Sequence, residues 1–270
     1  LGIAYSASIG GISTIIGSPP NLIGVQYLSQ FGIKVDFLKW MIMVLPVSLS
    51  MYGFLLFYIY KKLKRCSFNE ESISDYLKEH AGELRPFSTG ERNTVIVFFF
   101  AVFLWLLPGF LNLLGLESAY FFVIKILPDS LVALIAAILL YLLPCDKKLT
   151  GTLRAEDLRL IDWNTILLFG GGLALGTLVI NTGLAAFIGS SIADSVSEGN
   201  VPFIIFFLIT GILFLTEISS NTAIAITFIP IVIDILTTLQ LNVLYPVIGI
   251  VIASSFAFMM PISTPPNAIV

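Results

Sequence analysis

Apolar residues fill long stretches of this chain, at about 1–24, 37–60, 93–115, 119–144, 163–199, 201–217, 222–239 and 244–262, and polar residues collect between them, chiefly at 61–92 and 145–162. Several of these runs approach or exceed the ~20 residues that a helix needs to cross a bilayer core. The alternating ten-residue pattern of a membrane barrel is absent. The pattern predicts an all-α integral membrane protein. Two of the runs carry the same interruption: GSPPN at Gly17 to Asn21 recurs as STPPN at Ser263 to Asn267. Helices broken at matching places in two halves of a membrane protein point to a binding site between inverted repeats.

Composition sharpens this reading. Hydrophobic residues make up 57% of the 270 positions and charged residues 11%, with 22 Phe, and the mean hydropathy is +0.98. A net charge of -3 with no basic face gives no support to nucleic-acid binding, and Cys66 and Cys145 lack metal-ligand spacing and are expected to be reduced thiols. The chain starts at Leu1 with no initiator Met and stops at Val270 just past the second Pro-Pro-Asn, so it reads as a piece of a longer protein.

Basic residues near span ends stay in the cytoplasm. Lys61, Lys62, Lys64, Arg65, Lys78, Arg85 and Arg92 lie in one polar segment and Lys147, Lys148, Arg154 and Arg159 in the other, which places eleven of the fourteen on one side. The first broken segment then runs outward. If 163–199 crosses once and 201–239 is a hairpin that enters and leaves on the outer side, the second broken segment runs inward, and the two are antiparallel, as an inverted repeat requires. The segment 61–92 also holds Glu70, Glu71, Asp75, Glu79, Glu83 and Glu91 and reads as a solvated, partly helical linker in which His80 has no assigned role.

The hairpin rests on the polar cluster Glu217, Ser219, Ser220, Asn221 and Thr222 between two apolar arms of ~17 residues, marginal for spanning. Ser220 or Asn221 is expected to start the second arm and leave amide N–H groups in the turn, where an anion can bind. An ordinary polar surface loop is the alternative. At the two breaks, Pro19-Pro20 and Pro265-Pro266 force non-helical backbone. Carbonyls around Gly17, Ser18, Ser263 and Thr264 lose helical partners, a setting suited to a hard cation such as sodium, with Asn21 and Asn267 as caps of the resumed helices. A plain proline kink is the bland reading. Glu217 is either a proton relay or a structural hydrogen-bonded carboxylate. Gly170, Gly171, Gly172 and Gly176 lack the strand–turn–helix setting of a nucleotide loop, and Gly172 and Gly176 are expected to pack helices. Asp129, Lys125 and Asp234 mark either a cavity or an interface near the membrane surface. Neither Ser219 nor Ser220 has a base partner, which speaks against an intramembrane hydrolase.

GGISTIIGSPPNLI at 10–23, DWNTILLFGGGLALG at 162–176, LTEISSNTA at 215–223 and SSFAFMMPISTPPNAIV at 254–270 resemble the divalent anion/sodium symporter family of di- and tricarboxylate and sulfate transporters. The resemblance implies an inverted-repeat transporter fold with broken helices and a re-entrant hairpin, in a multi-pass protein of the plasma membrane. It also implies a homodimer whose subunits combine a scaffold with a transport part that moves as an elevator in the lipid bilayer. Residues 1–60 and 201–270 would belong to the transport part, 61–92 to a cytoplasmic linker, and 93–200 to scaffold and connecting helices. Carried over by position, Ser220, Asn221 and Thr222 contact a substrate carboxylate. Thr216, Ser219, Asn221 and the Ser263 backbone form one sodium site, and Gly17 belongs to the other. Ser18, Pro20, Thr264 and Pro266 line the substrate chamber. The family's first Ser-Asn-Thr hairpin has no counterpart in this sequence, so the chain by itself is not expected to transport.

The function implied is secondary transport of a divalent anion, a C4-dicarboxylate first, coupled to sodium, with no organic cofactor and no enzymatic step. Two sodium ions would offset a dianion that is otherwise met by amide dipoles and neutral side chains. A sodium-independent dicarboxylate exchanger on the same scaffold, and a sodium/proton or arsenite-type antiporter using Glu217, are the rivals, followed by a channel or a non-transporting sensor.

Overall fold

The computed structural model describes residues 2–64, 86–145, 151–184, 187 and 201–260. Among the described residues there are ten α-helices: α1 (Gly2–Gly11), α2 (Pro19–Gln30), α3 (Phe37–Leu63), α4 (Thr89–Leu113), α5 (Glu117–Ile126), α6 (Asp129–Leu142), α7 (Trp163–Asn181), α8 (Val201–Ile218), α9 (Asn221–Thr238) and α10 (Leu244–Ser254). A short 3-10 helix, Ala155–Leu160, precedes α7. Four of them, α3, α4, α7 and α9, are long and apolar enough to cross a membrane, and the bent pair α5–α6 makes a fifth when counted as one span. Large apolar side chains are left exposed along them, among them Phe54 and Phe57 on α3 and Phe98, Phe99 and Phe103 on α4. Water would penalise such surfaces; the hydrocarbon of a bilayer does not.

Two compact units divide the chain, one formed by Leu1–Phe57 with Asp162–Val270 and the other by Tyr58–Ile161. In the first, α2, α9 and α10 pack on one another, α7 packs on α9, and α8 packs on α10 and meets α9. Tyr27 and Leu28 of α2, Ile229 and Ile233 of α9, and Val247 and Val251 of α10 are buried at its centre. Because lipid tails are as apolar as these side chains, helix association here depends on close fit, which small residues permit. A Cβ placed on Gly24 would strike Val251, one on Gly249 would come within 2.8 Å of Ile209, one on Gly172 would strike Ile226, and one on Gly176 would strike the Tyr27 hydroxyl. The packing role expected of Gly172 and Gly176 is therefore observed, whereas Gly170 and Gly171 face open space.

In the second unit α4 packs against α5 and α6. Its start is written in the sequence: Ser88 Oγ accepts from the Glu91 amide at 3.2 Å while the Ser88 amide donates to Glu91 Oε2 at 2.7 Å, a reciprocal cap. The run 119–144, expected as one span, is instead two helices bent by 58°. Pro128 is the reason, since it has no N–H to continue α5 and its carbonyl accepts from the Leu131 amide to open α6. Lys125 in the last turn of α5 and Asp129 in the first turn of α6 complement the two helix dipoles at this break, and the Trp105 indole donates to the Asp129 carbonyl at 3.1 Å. Asn93 ties the far end by donating to the Pro144 carbonyl and to Thr152 Oγ1.

The run expected at 163–199 is helical to Asn181 and turns at Thr182 and Gly183, whose φ is +74°. Cys145 is a free thiol; Cys66 and His80 lie outside the described residues.

Candidate functional site

The first break occupies residues 12–18 between α1 and α2. Its prolines are not themselves non-helical, as the sequence suggested. Pro19 and Pro20 are the first two residues of α2, where a fixed φ suits a helix start and a missing N–H leaves nothing unpaired. The irregular backbone lies ahead of them, and Asn21 serves that backbone rather than capping α2. Asn21 is fully buried, and its Nδ2 reaches back to donate to the Gly11 carbonyl at 3.0 Å and the Thr14 carbonyl at 2.7 Å. Two side chains of α3 complete the cradle: Trp40 Nε1 donates to the Ile12 carbonyl at 3.0 Å, and Ser48 Oγ donates to the Ile9 carbonyl at 2.8 Å while accepting from Ser13 Oγ. The Ser18 carbonyl, expected to be released, accepts from the Asn21 amide. Gly17 is exposed, Ser18 half-buried and Pro20 buried.

Across the unit, α8 ends at Ile218 and α9 begins at Asn221, with Ser219 and Ser220 exposed between them. The two arms are 18 residues each, ~27 Å at the usual helical rise. Ser220 sits at the N-cap position but its hydroxyl makes no capping bond, so it does not shield the first amides of α9. Thr222 is buried in the first turn. Thr216 is fully buried in the last turn of α8, and its Oγ1 lies 2.6 Å from Asn221 Oδ1 and 2.7 Å from the carbonyl of Ser254, the last residue of α10. The next residue, Ser255, has its Oγ 3.3 Å from Ser18 Oγ. Oxygen atoms thus run in a seam from Ser18 through Ser255 and Ser254 to Thr216 and Asn221.

Beyond α10 the backbone of 256–260 is irregular, with a bend at Met259, and side chains from two helices hold it. Tyr5 of α1 donates its hydroxyl to the Phe258 carbonyl at 3.0 Å and packs its ring edge-on against Phe258. Glu217 of α8 is 5% exposed; its Oε1 accepts from the Phe258 amide at 2.9 Å, and its Oε2 accepts from the amides of Met259 at 2.9 Å and Met260 at 3.0 Å. Of the two readings offered for this residue, the hydrogen-bonded structural one describes what it does here. Asp234 is half-buried on α9, and its Oδ2 has no hydrogen-bond partner among the described residues.

The structure therefore gathers Ser18, Thr216 and Asn221, with Ser219, Ser220 and Thr222 at the adjoining helix ends. Ser263, Thr264, Pro266 and Asn267 lie outside the described residues. Sequence reasoning did not single out Ser254, Ser255, Tyr5, Trp40 or Ser48. A doubled serine at the end of an apolar helix was a usable signal for the first two. Nothing local marks an indole or a hydroxyl that bonds a backbone carbonyl far along the chain. Among the described residues no three of His, Cys, Asp and Glu gather to hold a metal ion; the oxygens that meet at Thr216 are hydroxyl, side-chain amide and carbonyl.

Comparison with known proteins agrees with this architecture. The family model described as the sodium:sulfate symporter transmembrane region matches residues 1–270. The sodium-dependent dicarboxylate transporter SdcS of Staphylococcus saprophyticus is 33% identical over 285 aligned residues, covering 100% of this chain and 51% of that protein. An uncharacterized transporter of Haemophilus influenzae is 34% identical, covering 100% of the chain and 55% of its own length, and one of Methanocaldococcus jannaschii is 30% identical, covering 100% and 56%. The chain spans about half the length of the curated relatives it matches. These are names of transporters, not of enzymes. A match along the whole chain, on helices apolar enough to span a bilayer, makes this a multi-pass integral membrane protein of the sodium:sulfate symporter family.

Proposed function

We propose that the protein containing this chain is a secondary transporter that moves a divalent anion, a C4-dicarboxylate first among them, in symport with sodium. The observation that carries the reading is the oxygen trio at the end of α8. Thr216 has one hydroxyl proton, yet both Asn221 Oδ1 and the Ser254 carbonyl lie within hydrogen-bond distance of its oxygen. Lone pairs are in surplus there, and the Ser254 carbonyl stands at the negative end of α10. A sodium ion relieves that surplus; so does an Asn221 amide turned to donate through Nδ2. Ser219 and the Ser263 backbone would complete the cation's shell, and Gly17 would contribute to a second one.

The anion belongs beside it. The first amides of α9 are not capped by Ser220, and helix N-termini of this kind receive carboxylates. Ser220, Asn221 and Thr222 would hold one carboxylate, with Ser18, Pro20, Thr264 and Pro266 along the chamber wall. Residues 162–270 contain no Lys or Arg, so sodium is the natural source of positive charge for a dianion. The relative named a sodium-dependent dicarboxylate transporter supports this pairing of cargo and coupling ion. Proton antiport through Glu217 is disfavoured because three backbone amides already occupy its carboxylate. Two inverted halves in a homodimer, with residues 1–60 and 201–270 moving as an elevator against a scaffold drawn from 93–200, complete the proposal.

The test is uptake of labelled succinate by proteoliposomes holding the complete gene product, with and without an inward sodium gradient. Sodium-stimulated uptake is expected, and Asn221→Ala is expected to abolish succinate-dependent sodium entry. Uptake without sodium that requires internal dicarboxylate would replace symport by exchange. Undiminished coupled uptake in Asn221→Ala would overturn the site.

A further inference from the structure

Thr216 and Glu217 are neighbours on α8, but they face different tasks. Thr216 turns to the oxygen trio and Glu217 to the backbone that follows α10. That backbone is continuous with Ser254, whose carbonyl is one of the three oxygens. Between Ser254 and Met260 the chain leaves its helix, so its position is set by whatever binds its freed groups. Two side chains do so. Glu217 accepts from the amides of Phe258, Met259 and Met260, and Tyr5 of α1 donates to the carbonyl of Phe258.

We propose that Glu217 is a positioning residue for sodium: by clamping the amides of 258–260 to the end of α8, it fixes the Ser254 carbonyl at bonding distance from Thr216 and Asn221. The inference rests on the reading of that trio as a cation site. Glu217 does not itself touch the ion; it acts through the backbone. Three properties of the residue suit the task. It is buried, so its geometry is not diluted by water. Its two oxygens accept three N–H groups, which holds a whole stretch of chain rather than one point. It lies next in sequence to a member of the trio, so any displacement of 256–260 relative to α8 is felt at Thr216. A carboxylate presents acceptors on both oxygens, whereas an amide or a hydroxyl would turn a donor toward one of the three N–H groups.

The experiment measures sodium activation of labelled succinate uptake by the complete gene product in proteoliposomes, alongside sodium-dependent thermal stabilisation in detergent without succinate. Glu217→Gln presents an NH2 group to the amides and loosens the clamp. The expected result is a rise on the order of tenfold in the sodium concentration for half-maximal uptake, with a matching loss of sodium stabilisation and no comparable fall in maximal uptake. Tyr5→Phe, which removes the other tether of the same backbone, shifts the sodium curve in the same direction by less, and Glu217→Asp recovers part of what Glu217→Gln loses. A general packing role would lower yield and thermal stability without moving the sodium curve. An unshifted sodium curve in Glu217→Gln overturns the inference, as does loss of uptake at every sodium concentration with sodium stabilisation intact. If Glu217→Gln does not yield folded protein, an unshifted curve in Tyr5→Phe overturns it. Absence of sodium stimulation in the unsubstituted protein would instead sink the cation reading itself, before any variant is compared.

Discussion

Gly176→Ala tests the helix packing that positions the site, and its magnitude can be worked from the contact. A Cβ on Gly176 would strike the Tyr27 hydroxyl, with the ring Cζ at 2.7 Å and Cε1 at 3.0 Å, where carbon atoms ordinarily stay about 3.5 Å or more apart. Tyr27 is fully buried, so the ring cannot swing away. Overpacking of this kind costs about 1–3 kcal/mol, offset by the roughly 1 kcal/mol that Ala gains over Gly in a helix, for a net loss of about 0–2 kcal/mol, toward the upper end here because three atoms of a buried side chain are struck. Tyr27→Phe removes the nearest obstructing atom. Its hydroxyl donates to the Gly172 carbonyl at a long 3.4 Å, so the loss by itself is about 0.5 kcal/mol. In the double variant the Ala methyl meets only ring carbons, and about 1 kcal/mol of the damage should be recovered. Steric trapping of the unfolded state in bicelles, run on the four members of the cycle, measures that coupling. Additivity within about 0.3–0.5 kcal/mol would mean that the α2–α7 contact is not formed as described. Gly170→Ala and Gly171→Ala supply the control, since nothing lies within 4 Å of either position and both should be neutral or stabilising.

Asn21→Leu keeps the branched outline of the side chain, at a larger volume, but leaves the Gly11 carbonyl without its donor, and it should cost about 1–3 kcal/mol in the same assay; Asn21→Asp, the closer match in size, turns oxygen toward two carbonyls and should be the worse of the two, an order that a mere space-filling role would reverse. Asp162, just outside α7, accepts from the Thr165 hydroxyl and amide, and these bonds hold its carboxyl below the ordinary aspartate range. A depressed folded-state value contributes stability above the unfolded value and loses it as pH falls through the folded one. The carboxyl carbon shift of Asp162 should therefore titrate at lower pH than an exposed Asp, and Thr165→Val should move the midpoint upward; an unmoved midpoint would reject the hydroxyl as the cause.

Much of the molecule was legible because its periodicities are coarse. Apolar runs of span length, a Pro-Pro pair that marks a break in a helix and a Ser-Ser-Asn-Thr cluster between two arms each report a strong local constraint, bilayer thickness, a missing N–H or a helix end, although the prolines begin the resumed helix rather than forming the irregular backbone themselves. Pro128 was readable in the same way, and Lys125 and Asp129 beside it punctuate the run, but with apolar residues on both sides of them 119–144 still has the length of one span, which left the 58° bend unread. Asn21 was misjudged for a different reason. Its position near a helix start suggested a cap, yet the prolines before it leave few amides to cap, while the break behind it has carbonyls that need donors. The contacts of Tyr5, Trp40, Ser48 and Glu217 join positions 28 to 253 residues apart, and no local pattern encodes which backbone group a buried polar side chain will find.

The way the first break is tied also bears on how the protein moves. Six carbonyls between Ile9 and Ser18 accept hydrogen bonds: Ile9 from Ser48, Gly10 from the Ser13 amide, Gly11 from Asn21, Ile12 from Trp40, Thr14 from Asn21 and the Gly17 amide, and Ser18 from the Asn21 amide. Inside a bilayer each would cost several kcal/mol if left bare, because no water is at hand to replace the donor. The donors come from α2, from α3 and from the break itself. A conformational change that slid α1 past α3 would strip the Trp40 and Ser48 bonds together. A motion that carried α1, α2 and this part of α3 as one piece would strip neither. Irregular backbone in a membrane helix is often taken as a hinge. Here the bonding ties the break to α2 and α3 as one corner, and for the transport cycle we propose it favours displacement of that corner as a piece over local unwinding at the Pro-Pro-Asn break.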